Sequence, residues 1–145
     1  MSARPDIDLA ARCACGAIGV HAAGRVLSML LCACEDCQKA TGTGHSAAVM
    51  MRATDVSITG TPGRFETRAN SGATYARHFC AACGTPIHGR SSRAPDIVAL
   101  PVGLFGAAAA GWFAPGQTIF ARSHRGWDTL PPGIALHATY RGEAG

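Results

Sequence analysis

Cys80-Ala81-Ala82-Cys83-Gly84-Thr85-Pro86 carries the spacing of a metal knuckle. Two residues between the cysteines let the chain turn back, so both sulfurs face one ion. Gly84 can take positive φ and let backbone N–H groups approach those sulfurs. A knuckle supplies two ligands, and a tetrahedral site needs four, so its partners must come from elsewhere in the chain.

The chain has seven cysteines, and the other five form Cys13-Ala-Cys15-Gly16 and Cys32-Ala-Cys34-Glu-Asp-Cys37. Cys13-x-Cys15 has the same trailing glycine on a tighter turn, and it can complete a Cys₄ site with Cys80 and Cys83. Cys32, Cys34 and Cys37 then remain as a trio, which leaves one position of a bound ion open to water or substrate. Spacing also permits a second partition. Cys34-x-x-Cys37 can join Cys80-x-x-Cys83 as a zinc ribbon, leaving Cys13, Cys15 and Cys32 over. The spacing alone does not choose between them.

A length of 145 residues predicts one domain over 1–145. Hydrophobic residues make up 48% and charged residues 15%, which argues against disorder. Aromatics are only 6% and glycine reaches 18 residues, so apolar packing needs help in holding the loops. An odd number of cysteines suits metal better than a complete disulfide framework. The acidic start, Met1 to Asp8, does not read as a signal peptide, and Pro101 with three glycines interrupts the apolar window Leu100–Ala114. The expectation is a cytoplasmic protein with no membrane partner, in a compartment where disulfides are rare. The formal charge of +4 would fall to about +1 with seven thiolates around two Zn²⁺ ions. No basic block stands out, and no nucleic-acid partner is expected.

Short β-like runs dominate: Ala17–Ala22, Val26–Leu31, Ala47–Met51, Val56–Thr59, Arg64–Thr67, Ala73–Phe79, Asp96–Val102 and Thr118–Arg122. Gly-, Pro- and Asn-containing turns separate them, so an all-β or β-rich fold is predicted. Two helical exceptions are Glu35–Ala40, stopped by Gly42 and Gly44, and the Ala-rich Ala107–Trp112. Glu35–Ala40 would set Cys37 near a helix start, where a thiolate is favoured. The tail after Pro131-Pro132-Gly133 reads as irregular.

Taken together, Cys13-Ala-Cys15-Gly16, Cys32-Ala-Cys34-Glu-Asp-Cys37-Gln-Lys-Ala-Thr-Gly42 and Arg77-His-Phe-Cys80-Ala-Ala-Cys83-Gly84-Thr-Pro86 resemble the glutathione-dependent formaldehyde-activating enzyme family, the GFA or centromere protein V-like domain. The likeness covers a core of about 9–130, including Asp96–Gly103 and the Ile119-Phe120 to Trp127 segment. It implies a Mss4-like, or β-tent, fold of bent antiparallel sheets with short helices. It assigns a structural zinc to Cys13, Cys15, Cys80 and Cys83, and a second zinc to Cys32, Cys34 and Cys37. The implied activity is that of a carbon–sulfur lyase of the S-(hydroxymethyl)glutathione synthase type, with glutathione and formaldehyde as partners. Two positions depart from the pattern: Ala33 and Thr118 stand where many members have histidine.

On that reading Cys32, Cys34 and Cys37 form the catalytic centre, and His45 stands as a candidate to move the proton. Arg52, Arg68, Arg90, Arg93 and Arg122 are candidates for the glutathione carboxylates. Two other readings remain: a zinc-stabilised binding module, and a thiol- or redox-responsive zinc protein in which the trio releases its ion on oxidation.

Overall fold

Asp6-Ile-Asp-Leu-Ala-Ala-Arg12 alternates acid and apolar residue, and it forms the first strand with Ile7 buried and both acids exposed. The structure, a computed structural model, describes residues 4–141. In chain order the elements are β1 (Asp6–Arg12), β2 (Gly19–Arg25), β3 (Ser28–Cys32), α1 (Glu35–Thr41), β4 (Ser46–Arg52), β5 (Val56–Thr59) and β6 (Gly63–Arg68). They continue as β7 (Thr74–Phe79), β8 (Pro86–Ser91), β9 (Ile97–Pro101), β10 (Gln117–Ile119) and β11 (Ala135–Leu136), with 3-10 turns at Ala53–Asp55, Val102–Ala109 and Ala121–Ser123. The fold is β-rich, as the turn-punctuated sequence predicts. No described helix is long and apolar enough to cross a membrane.

Two sheets form. The smaller has the order β1-β2-β5, and the larger β11-β10-β3-β4-β9-β8-β7-β6. Pairing is antiparallel except at one edge, where β10 runs parallel to both β3 and β11. The main core gathers Ile7, Val20 and Ala22 from the small sheet against Met29, Val49, Met51, Val98 and Leu100 from the large one. Phe105 and Ala109 of the long 3-10 segment join the same core. Met51, Ile87 and Leu100 are fully buried, and each contributes about 1.5–3 kcal/mol relative to an exposed side chain.

Strand β3 serves two cores because its side chains alternate. Met29 packs into the main core, while Leu30 and Cys32 meet Cys37, Phe120, Ile119 and Tyr140 in a second, smaller cluster. That cluster lies at the edge where β10 pairs with β3, and α1 leaves the end of β3 directly into it.

The structure departs from the sequence expectations at four places. Strands β1 and β8 lie outside the expected runs; β8 contains Pro86 and Gly89, which disguise it. The Ala-rich Ala107–Trp112 does not form the expected helix. A 3-10 run covers Val102–Ala109 instead, broken at Gly106 with φ 56° and ψ −137°. The tail is not irregular throughout: β11 extends the large sheet, and the carbonyls of His137 and Thr139 accept from the amides of Ala121 and Phe120 at 2.9 and 3.0 Å.

Candidate metal centres and the adjoining site

The hairpin of β1 and β2 holds Cys13 and Cys15 in its connecting loop. Cys80 and Cys83 sit in the turn between β7 and β8. The four sulfurs all lie within 4.8 Å of one another. Cys13 Sγ and Cys15 Sγ are 3.7 Å apart, as are Cys15 Sγ and Cys80 Sγ. A tetrahedron with metal–sulfur bonds of about 2.3 Å has edges of about 3.8 Å, so the donor set fits one ion. Both loop glycines take the conformation that the knuckle requires, with φ 81° at Gly16 and 79° at Gly84. The amide of Ile18 donates to Cys13 Sγ at 3.2 Å.

Thr85 ties the two halves together. Its Oγ1 accepts from the amide of Ala14, 71 residues away, at 3.1 Å, and its hydroxyl donates to Cys83 Sγ at 3.1 Å. The Thr85 hydroxyl, followed by its backbone, pulls the Cys83 thiol down to about 5.

The trio is assembled by a strand end and a helix start. Cys32 closes β3, Cys34 is the N-cap of α1, and Cys37 lies in its first turn. Cys34 Sγ accepts from the amide of Cys37 at 3.3 Å, so a sulfur takes the capping role usual for a serine or aspartate oxygen. The three sulfurs lie within 4.8 Å of one another, and no fourth His, Cys, Asp or Glu joins the group among the described residues. Cys32 and Cys37 are buried. Hydrogen bonding by Cys32 and Cys34 holds the Cys37 thiol far below its ordinary range against the cost of burial, and Ser46 and Arg77 add to the effect. Its partner Cys32 is driven upward by Cys34 and Cys37, with burial adding. One sulfur of the trio therefore carries the negative charge first.

Arg77 is the residue that the sequence reading missed. It projects from β7 and donates to Cys37 Sγ at 3.7 Å, with its guanidinium over the Tyr75 ring at 5.3 Å from the centroid. Burial holds the Tyr75 hydroxyl up at about 12, so it stays protonated beside the arginine. The signal was present in the Arg77-His-Phe-Cys80 run, but only the sheet brings β7 opposite α1. Of the arginines proposed for a carboxylate, Arg122 alone stacks on the trio's cluster, 5.6 Å from the Phe120 ring. Arg68 is turned to the carbonyl of Gly72.

His45 lies just before β4. Its Nδ1 bonds to Asp128 at 2.7 Å, and His124 Nε2 approaches the same carboxylate at 3.8 Å. Its recorded bond is thus to Asp128 and not to a sulfur. Gly44 is needed there, because a Cβ would strike the Asp128 side chain. Gln38 holds α1 against the segment bearing these groups: its amide donates to the carbonyls of Ala33 and Ser123 at 2.8 and 3.0 Å.

Over residues 8–123 the chain matches the family described as glutathione-dependent formaldehyde-activating enzyme, GFA. The chain belongs to the GFA family. A search of curated proteins finds no match. Among solved structures, this GFA chain is similar to a Rhodobacter sphaeroides protein, a structural genomics target, at 14% identity and TM-score 0.56, over 89% of this chain and 99% of that one. That likeness shows the fold alone.

Both departures of this GFA chain lie beside the trio in sequence or register. Ala33 is fully buried, and its amide donates to the carbonyl of Ile119 at 3.0 Å. Thr118 is also fully buried, and its Oγ1 has no hydrogen-bond partner. Neither position supplies a further metal donor to the trio. Phe120, two residues on, is the one described non-glycine residue with positive φ, at 56°. Its side chain packs with Cys32 and Cys37 in one buried cluster, and its ring meets Tyr140 edge-on at 4.8 Å. Such strain persists only where the surroundings hold it, and it gathers at functional sites.

Proposed function

We propose that this chain is a carbon–sulfur lyase-type enzyme that joins glutathione, or a related small thiol, to formaldehyde. Cys32, Cys34 and Cys37 would hold a zinc ion, and Cys13, Cys15, Cys80 and Cys83 a structural one. The single observation that carries the reading is the trio itself: three sulfurs converge, with no fourth protein donor among the described residues and a guanidinium alongside. When bound there, zinc lowers the pKa of a thiol in its open position, so that thiolate is present at neutral pH.

The reaction is an addition. A bond forms between the thiol sulfur and the carbonyl carbon as the π pair moves to oxygen. The oxygen ends with the proton that the thiol gave up, and nothing is oxidised. Arg77 offsets the negative charge of the sulfur cluster and offers donors to an anionic substrate. His45 is oriented by Asp128 through Nδ1, which leaves Nε2 free to take and return a proton. Holding the thiol and aldehyde together is itself a large part of the acceleration, since the uncatalysed addition is already spontaneous.

The test is exchange NMR with ¹³C-formaldehyde and glutathione, with the uncatalysed rate measured beside it. Faster exchange with wild type, lost in Cys37→Ser, is the expected result. Equal rates with and without protein reject glutathione as the thiol.

A further inference from the structure

Arg77 points toward the trio, and its neighbours on β7, Ala76 and His78, face the opposite side of the strand. There a cavity of about 320 Å³ is lined chiefly by Arg64, Glu66, His78, His88, Arg90 and Ser92. Register builds it: His78 pairs with Arg64 on one side and His88 on the other, while Ala76 pairs with Glu66 and Arg90. The two imidazoles stack with centroids 4.0 Å apart and planes 9° from parallel.

Nothing in the mechanism above uses these groups, yet three of their polar atoms are buried without a hydrogen-bond partner: Nδ1 of His78, Nδ1 of His88 and Nε of Arg90. Buried polar atoms are nearly always satisfied, so three orphans on residues that line one cavity point to a ligand. Ser92 Oγ already accepts from the amide of Thr74 at 3.0 Å, which leaves its hydroxyl hydrogen to donate. Arg64 is paired with Glu66, whereas Arg90 forms no ion pair among the described residues.

The chemistry disfavours a cation. Two arginines flank the rings. The imidazole lone pairs also lie in nearly parallel planes, so one ion at about 2.0–2.1 Å from nitrogen cannot lie in both. The cavity instead brings together a guanidinium, two imidazoles and a hydroxyl, each able to donate a hydrogen bond. We propose that this face of β6, β7 and β8 binds an oxyanion, the phosphoryl or carboxylate group of a small molecule, gripped by Arg90, His78 and His88. Burial, with His78 and Arg90 adding, holds His88 down at about 4. An anion in the cavity relieves that repulsion. The site stands on the far face of β7 from Arg77 and does not depend on the formaldehyde reading.

The full, metal-loaded chain is titrated with inorganic phosphate and separately with acetate at low ionic strength. Heat is followed by calorimetry, and the His88 ring resonances by NMR. Saturable binding that moves His88 and weakens about tenfold or more in Arg90→Gln and His88→Gln is the expected result. Preference for phosphate assigns a phosphoryl ligand, and equal or better binding of acetate a carboxylate. Arg64→Gln alters an exposed side chain that is paired with Glu66 and lies outside the grip, so it is the folded control and should weaken binding less than Arg90→Gln. Absence of saturable binding by either anion overturns the proposal. So does unchanged affinity in folded Arg90→Gln and His88→Gln proteins with wild-type metal content.

Discussion

The guanidinium of Arg77 sits 3.7 Å from Sγ of Cys37, a residue 40 positions earlier in the chain. A hydrogen bond to a charged group is worth about 1.5–3 kcal/mol, so Arg77→Met should lower kcat/KM for adduct exchange by about 10- to 100-fold. Arg77→Lys keeps the charge without the fork and should fall between. Competition with a chelator measures the companion effect, earlier loss of the trio's ion. Wild-type rates in Arg77→Met would remove this residue from the mechanism.

Substituting the two cysteine groups should have unequal consequences. Structural zinc binding is coupled to folding, so Cys83→Ser is expected to unfold the chain or strip one zinc with collapse of the thermal transition. Cys37→Ser is expected to keep the fold and lose the other zinc. Zinc content and melting curves, measured together, check both. Equal unfolding of the two variants contradicts the division into a closed and an open centre.

Acid should release the quartet's ion in a defined window. The folded Cys83 thiol is depressed to about 5 from an ordinary 9.0, chiefly by the Thr85 hydroxyl. Stability linked to its thiolate is complete above the ordinary value, declines as pH falls, and is gone below about 5. Thr85→Val removes the leading cause and should move the zinc-release midpoint to higher pH. A shift to lower pH, or none, would show that Thr85 does not set this thiolate.

Phe120 makes a test of strain against burial. Loss of its ring from the cluster with Cys32 and Cys37 should cost about 3–5 kcal/mol in Phe120→Ala, read by urea denaturation. Its backbone lies in the left-handed region, at φ 56° and ψ 35°, which costs an L-residue about 1–2 kcal/mol. Phe120→Gly should therefore be less destabilising than Phe120→Ala, the reverse of the usual order at ordinary backbone angles. If glycine proves worse than alanine, the positive φ is not under strain.

Most strands were legible because their alternation and turn punctuation are local. Val56–Thr59 was read with its bounds, and Glu35–Ala40 differs from α1 by one residue. Strand β8 was hidden by Pro86 and Gly89, whose composition argues against a strand. The order in the tail is hidden for a different reason: it comes from backbone bonds to Phe120 and Ala121, which no local pattern announces.

Donor types and their spacing belong to the sequence: seven thiols in three clusters, knuckle glycines, and a motif order that resembles one family. These are local properties, set by a few adjacent residues. Which sulfurs meet is not local. Spacing allowed two partitions, and the packing of the small sheet against the large one brings Cys15 to Cys80 across 65 residues while Cys32, Cys34 and Cys37 gather apart. Strand register within the large sheet carries Arg77 to the trio and His78 against His88 on the opposite face. A one-residue slip in β7 would exchange them, because strand side chains alternate with a period of two.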